Sequence, residues 1–566
     1  MRVSVRKDGS ALSHVPDNWH AVDWRRVGRN VRGMQIRIAK ATREGDWRRV
    51  KALQRMLTRT LSAKLYAVRR VTQNQGARTA GVDRELWDSP ESRWEAIGRL
   101  KRRGYKPLPL RRVFIPKANG NERPLGIPTM RDRAMQALYL LALEPVSETT
   151  SDPNSYGFRL NRSTADAMSQ IFVAMSQKGS ARWVLEADIK GCFDWINHDW
   201  LESHVPMDKE ILRKWLKAGL IHKGQLQATE AGTPQGGIIS PTLANVTLNG
   251  LERELIAHLG ATLGIAKAKK LKVNVVRYAD DFVITGDSKE ILENEVRPWV
   301  EAFLAVRGLQ LSETKTRITH IDEGFDFLGW NFRKYSEKLL IKPSKKNVQT
   351  FYRKVSETIS GNKTVTHEDL IRLLNQMLRG WAQYHSPVVA KQAYSRMESL
   401  IFRRLWWWSK RRHPNKGAEW VRKKYFHSDG ARHWIFAVPV VRDDGSNGLT
   451  ELYQLRGTSI RRHRKIKGDF NPFDPDWEQY GEQLRQARME ASMRHRKQWV
   501  SLYLLQGGLC AHCGCALTRE TGWHDHHLEY RMHGGSDALF NRVLLHPDCH
   551  RQVHVGKIAL TKPARS

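Results

Sequence analysis

The sequence predicts a multidomain α/β protein that ends in a small metal-stapled module. Three observations carry this expectation. Short apolar runs bounded by Pro, Gly and Asn, such as residues 110–115 and 276–285, have the length and flanks of strands. Residues 20–75 and 346–400 place apolar side chains at helical spacing. Four of the five cysteines, Cys510, Cys513, Cys515 and Cys549, fall among histidines in the last tenth of the chain. That clustering reads as metal ligation in a reducing compartment rather than a disulfide framework.

Lysine and arginine exceed the acids by 95 − 58 = 37. Such an excess goes beyond solubility and points to a polyanionic partner. A chain of 566 residues suggests roughly three or four domains. The opening MRVSVRKDGS lacks the apolar core of a signal peptide, and no run of about 18 apolar residues exists. A cytoplasmic protein (bacterial cytoplasm or nucleoid) with no membrane partner is expected. Trp and Arg are scattered rather than gathered on one amphipathic helix, which argues against membrane-surface binding.

Taken in order, residues 20–75 are helical and basic. Val50, Leu53, Leu57 and Leu61 form an apolar stripe, with Arg48, Arg49, Lys51, Arg55 and Arg59 largely off it. Taken alone that is a solvated face; the overall charge turns it toward RNA or DNA. Residues 105–128, YKPLPLRRVFIPKANGNERPLGIP, read as a hairpin with Lys117 and Arg123 near its tip. Residues 183–194 read as a strand ending in Asp188 and then a turn. Residues 232–247 begin as a Gly-rich loop and continue as a helix. VRYADDFVIT, residues 276–285, suits a hairpin around Tyr-Ala-Asp-Asp. Helical patterning returns over residues 346–400. Residues 401–425 are dense in Arg, Lys and Trp. Segments near 442–448 and 468–480 look like loops or linkers, and a charged stretch at 482–498 precedes the Cys/His module.

Asp280 and Asp281 sit inside an apolar run, where uncompensated carboxylates are costly. On a strict strand they point to opposite faces; on a tight turn both can approach one site. Asp188 at a strand end can complete the set. Three carboxylates around two hard cations, Mg²⁺ being the physiological choice, form a phosphoryl-transfer clamp.

The ordered series RRVFIPK, RPLGIP, SYGFR, ADIKGCFD, GTPQGGIISP, RYADDF, LSETKT and FDFLGW resembles the reverse transcriptases. With LRGWAQYH at residues 378–385 it resembles, more narrowly, the group II intron-encoded reverse transcriptase/maturases. The resemblance implies a right-hand polymerase with fingers and palm over residues 96–340 and a helical thumb, the maturase domain, over 341–420. It is preceded by a basic RNA-binding extension over 1–95 and followed by a DNA-binding region over 421–495. It implies that Asp188, Asp280, Asp281 and the Ile189 carbonyl hold the Mg²⁺ ions, and that Lys117 and Arg123 grip the triphosphate. Phe193 then packs against the sugar and excludes a 2′-hydroxyl. Gln235 lies beside sugar and base, and Lys315 near the triphosphate. The family often has Pro where Gln376 stands, so a helix is expected to run on there.

Arg403, Arg404, Arg411, Arg412, Arg461 and Arg462 are candidates for phosphate contact, while the Trp residues at 406–408 favour core packing. By resemblance this stretch meets the DNA target. At the far end, Cys510, Cys513, His546 and Cys549 repeat a ligand pair spaced by two residues, which suits a structural tetrahedral Zn²⁺ site. Cys515 matches no ligand role and is either a spare thiol or an alternative ligand. His526, His527, Asn541, His550 and His554 in that order resemble the HNH endonucleases, giving a module over 496–566 of ββα-metal type. His527 is then the general base, His526, His550 and His554 hold one divalent ion, and Asn541 supports the loop that orients His527. The implied function joins RNA-directed DNA polymerase, splicing maturase and DNA endonuclease in retrohoming. Intron RNA, target DNA and dNTPs are the implied partners. The rival readings are a splicing factor with a vestigial polymerase, a nuclease with an accessory polymerase-like domain, and a domesticated reverse transcriptase.

Overall fold

The structure is a computed structural model that describes residues 18–116, 122–441, 447–493, 497–519, 521–530, 536, 538–555 and 558–560. Lys117, and with it the tip of the expected 105–128 hairpin, lies outside the described residues, as does most of the expected loop at 442–448.

Three helices open the described chain, Trp24–Arg43, Trp47–Arg59 and Leu61–Thr72. Asp23, Asp46 and Thr60 cap them, each accepting a backbone N–H of the first turn. Val27, Val31, Ile38, Val50 and Leu57 are buried beside the helix Met130–Thr150. That helix contains Pro145, which leaves the Leu141 carbonyl without its usual donor. Gln35 Nε2 donates to that carbonyl at 2.9 Å, and Gln54 Nε2 to the Ala142 carbonyl at 3.1 Å. Arg48, Arg49, Lys51, Arg55 and Arg59 are all exposed. Leu61 departs from the expected stripe and is exposed, because Thr60 breaks the helix and Leu61 opens the next one.

Two four-stranded sheets follow. In the first, the order is Glu122–Ile127, Leu110–Pro116, Leu220–His222, Gln225–Gln227, and the first two form the expected hairpin with Ile115 opposite Arg123. In the second, the order is Asn274–Tyr278, Asp281–Gly286, Trp183–Asp188, Arg317–His320. Its middle strands bury Val184, Leu185, Phe282, Val283 and Ile284 on both faces, which explains their unbroken apolar runs. FDFLGW supplies two strands of a smaller sheet, Phe325–Phe327 and Trp330–Tyr335, with Lys338–Pro343 beyond.

Helices Lys345–Gly361, His367–His385 and Lys391–Arg412 form the next unit, and the second runs unbroken through Gln376. Trp408 is buried and donates to the Asn362 carbonyl, Trp406 is half-buried and Trp407 is exposed. Strands Phe426–Asp429 and Arg432–Val441 add Phe426 and Phe436 to this core. The expected loop or linker at 468–480 is irregular over most of its length and is fastened to the body as a strap. Phe470 joins the core with Tyr156 and Met168, Arg162 Nη2 donates to the Gly468 carbonyl at 2.9 Å, and Arg43 pairs with Asp474 at 2.6 Å. The fully buried Asp166 holds the flanks, with His463 Nε2 at 2.8 Å and Arg488 Nη2 at 3.0 Å.

The last unit pairs strands His524–His527 and Arg542–Leu545 antiparallel and follows them with helix Pro547–Val555. No helix among the described residues is long and apolar enough to cross a membrane.

Candidate active and metal sites

The carboxylate cluster is assembled by strand pairing. Asp188 ends its strand directly opposite Asp281, and Tyr278 pairs with Asp281 from the other side. Only Ala279 and Asp280 remain to make the turn, so both adjacent acids arrive at one end of the sheet. Ala279 pays for this tightness with a left-handed φ of 60°. The SYGFR segment buttresses the turn. Tyr156 N–H donates to the Arg277 carbonyl at 2.8 Å, and a Cβ on Gly157 would stand 2.2 Å from the Ala279 nitrogen. Behind it the fully buried Arg277 donates to the Ala279 carbonyl and to Asn245 Oδ1, each at 3.1 Å. Burial draws the Arg277 guanidinium down to about 10, which leaves it cationic at neutral pH.

Asp281 is exposed as a residue, yet the atoms packed around its carboxyl partly desolvate it. That desolvation, then repulsion from Asp280 and Asp188, pushes Asp281 up to about 7. Burial and then Asp188 also raise Asp280 above the usual carboxylate range. Lys315 Nζ donates to Asp188 Oδ2 at 2.9 Å, and that bond raises the lysine in turn. Three crowded carboxylates resist sharing their charge and suit hard divalent cations. Burial, with Asp280 next, pushes the nearby Cys192 thiol up to about 12, so it stays protonated.

Of the other expected nucleotide residues, Arg123, Gln235, Phe193 and Ile189 are described. Arg123 Nε donates to Gln235 Oε1 at 2.8 Å, and Gln235 Nε2 reaches Asp194 Oδ1 at 3.4 Å. The Gly-rich loop is pressed close, since a Cβ on Gly232 would stand 2.5 Å from the Phe193 carbonyl oxygen. Phe193 is buried with its ring edge-on to the exposed Phe158 at 6.2 Å. Ile189 is buried and bridged to Leu311.

In the last unit, the ligand atoms of Cys510, Cys513, His546 and Cys549 all lie within 4.8 Å of one another, and all four residues are buried. Three sulfurs and one imidazole nitrogen fit a borderline-soft tetrahedral ion. Cys515 lies outside this set; its Sγ is 3.7 Å from the Trp24 carbonyl. His526, His550 and His554 form a second group within 4.8 Å. Burial, then the two neighbouring imidazoles, draws His526 down to about 4, so it stays neutral and able to ligate at pH 7. His527 follows His526 on the same strand and is half-buried. Asn541 ties down the loop beyond it: Nδ2 donates to the Glu529 and Ser536 carbonyls at 2.9 and 2.8 Å, and Oδ1 accepts from Glu529 N–H at 2.8 Å.

The arginines divide. Arg403, Arg411, Arg461 and Arg462 are exposed. Arg404 Nη2 donates to Ser360 Oγ at 2.9 Å. Arg412 donates to the Lys363 and Val365 carbonyls, both at 2.9 Å, and lies over the Trp408 ring. Sequence reasoning missed Arg277, Gly157 and Asn245. The only visible signals were a cation directly before the Tyr-Ala-Asp-Asp turn and a glycine inside SYGFR.

Comparison with known proteins agrees with this layout. Residues 19–100 match the N-terminal domain of reverse transcriptase, and residues 115–332 match reverse transcriptase (RNA-dependent DNA polymerase). Residues 348–426 match the group II intron maturase-specific domain, and residues 510–556 match HNH endonuclease. The chain is 33% identical over 333 residues to protein YkfC of Escherichia coli, an alignment covering 52% of this chain and 86% of that protein. It is 33% identical over 327 residues to the group II intron-encoded protein LtrA of Lactococcus lactis, covering 47% of this chain and 54% of LtrA. It is 27% identical over 394 residues to maturase-like protein 1 of Euglena gracilis, covering 67% and 78%. The chain spans about half the length of LtrA, and its four domains occur together in one order. It belongs to the group II intron-encoded reverse transcriptase and maturase family, in a form that also carries an HNH endonuclease domain.

Proposed function

We propose that this protein binds its intron RNA, assists its splicing, nicks a DNA strand and copies the RNA from that nick. The observation that carries the reading is the opposition of Asp188 and Asp281 beside Asp280 at one sheet end. In this reading residues 96–340 are fingers and palm, 341–420 the thumb, 421–495 the DNA-binding region, 496–566 the nuclease, and 1–95 an RNA-binding extension. The printed name of LtrA as a group II intron-encoded protein supports intron RNA as the partner.

Asp188, Asp280, Asp281 and the Ile189 carbonyl would hold two Mg²⁺ ions, and these would supply Lewis-acid chemistry at a DNA 3′-hydroxyl and a triphosphate. Arg123, Lys117 and Lys315 bind the dNTP phosphates, and Arg123 Nε is tied to Gln235 Oε1 at 2.8 Å. Phe193 presents a ring that a 2′-hydroxyl cannot pass. In the nuclease, His527 accepts the proton of the attacking water, while His526, His550 and His554 would hold a divalent ion that supplies charge stabilisation to phosphodiester cleavage. Cys510, Cys513, His546 and Cys549 would hold a Zn²⁺ ion that staples that module. Cleavage leaves the 3′-hydroxyl that the polymerase extends.

The test is primer extension on an RNA template with Mg²⁺. Asp280→Ala abolishes DNA synthesis and leaves RNA binding within about twofold, the carboxylate being needed for charge and not for the RNA surface. Wild-type synthesis by that variant rules out this site.

A further inference from the structure

The Cys₃His cluster faces the N-terminal helices rather than solvent. With Zn²⁺ bound, three thiolates (−3), one neutral imidazole and the ion (+2) sum to −1. A buried net charge needs a partner. The nuclease module's own described residues place no cation on the ligand sulfurs, but the helix Leu61–Thr72 does. Arg69, itself buried, donates from Nη2 to Cys513 Sγ at 3.2 Å and from Nη1 to Cys515 Sγ at 3.5 Å. Its guanidinium lies 4.5 Å from the centre of the Trp24 ring, which shields it from water.

The same face carries a second chain of contacts. Arg69 Nε donates to Gln73 Oε1 at 3.1 Å, and Gln73 Nε2 donates to Asp548 Oδ2 at 3.1 Å. Asp548 lies in sequence between the ligands His546 and Cys549. It also accepts Arg93 Nη1 at 3.2 Å in a pair whose side chains are 6% and 4% exposed. Arg93 is fixed in turn by the Trp87 and Asp88 carbonyls, each at 3.2 Å. Cys515, which ligates nothing in this reading, places its thiol against the Trp24 carbonyl across the same junction.

We propose that Arg69 is the outer charge partner of the Cys₃His zinc centre, so that the loaded centre clasps the endonuclease module to the N-terminal domain. This rests on the zinc reading of the cluster. The clasp works in both directions. Arg69 stabilises the zinc–thiolate charge, and the zinc–thiolate charge holds a guanidinium that would otherwise be buried against neutral thiols. Bound zinc then strengthens a junction between nuclease and polymerase that the Arg93–Asp548 pair also holds. Arg69 is a positioning residue and touches no substrate.

The experiment uses the full-length protein. Zinc content is measured first, then the rate of Zn²⁺ transfer to a chromophoric chelator, then hydrogen exchange in helix 61–72. Arg69→Met keeps the bulk and removes the charge; it releases zinc at least about tenfold faster, as loss of an outer-shell partner does. Arg69→Lys restores part of the retention, an outcome that a packing role would not produce. Removing zinc from the wild type raises exchange in helix 61–72, although that helix contains no ligand. Wild-type protein without stoichiometric zinc overturns the zinc reading and the clasp with it. Zinc-loaded wild type whose helix 61–72 exchange ignores zinc removal, or an Arg69→Met release rate equal to wild type, overturns the clasp alone.

Discussion

Asp188 and Asp281 face each other across an antiparallel strand pair, and Lys315 reaches Asp188 from a third segment at 2.9 Å. The pairing is made by backbone hydrogen bonds and by apolar neighbours. The repulsion it imposes on the carboxylates is therefore sustained by the rest of the sheet, as expected where strain serves a function.

That repulsion has a pH signature. Asp281 is pushed up to about 7, above an unfolded value near 3.9. The folded chain then binds the proton more tightly than the unfolded chain, so its stability is highest at low pH and falls as pH rises from about 4 through 7. Metal-free Asp281→Asn should melt higher than wild type at pH 8, with the gap shrinking at pH 5. Millimolar Mg²⁺ should stabilise wild type more than the variant. Equal melting temperatures at both pH values would remove the electrostatic account.

Gly157 tests the buttress beneath the turn. A methyl group there meets the Ala279 backbone, which cannot move without shifting Asp280. Gly157→Ala should cost about 1–3 kcal/mol of stability and lower primer extension by about a hundredfold or more, given the cost of small misplacements. Gly179→Ala, where a new Cβ meets nothing within 4 Å, is the control. DNA nicking should be unchanged in both.

His527→Ala should stop nicking of a target duplex while leaving zinc content and extension of a pre-nicked primer intact. His550→Ala should also stop nicking, through loss of the divalent ion rather than of the base. A nicking assay across a metal titration separates them, since only the second loss is eased by raised metal.

Arg411 and Arg412 should behave differently although they are adjacent. Arg411→Ala should flatten the slope of log affinity against log salt by about one unit. Arg412→Ala should leave that slope unchanged and lower thermal stability modestly, by about 0.5–1.5 kcal/mol, chiefly because the half-buried Val365 carbonyl loses its donor. Salt titrations of DNA binding and thermal melts read the two effects.

Much of this site was legible in the residues themselves. An acid at the end of an apolar strand, two acids on a tight turn, and Cys and His repeated at a two-residue spacing are local patterns. Local backbone geometry alone dictates what they can do. The hairpin opposing Ile115 and Arg123, and the helix running through Gln376, were readable for the same reason. The strap at 468–480 was not, since its Pro and Gly content describes an irregular backbone and says nothing of what Phe470 and Asp474 dock against.

What the sequence determined by itself was the chemistry on offer: which carboxylates, thiols and imidazoles exist, and which lie close enough along the chain to act together. What only the tertiary structure decided was their company. Asp281 against Asp188, Arg277 under the turn, and Arg69 on Cys513 join segments far apart in the chain. Such contacts depend on strand order and on which helix faces which module. Those follow from the packing of the whole core, because the free energy that selects them is summed over every buried side chain and not over a local window.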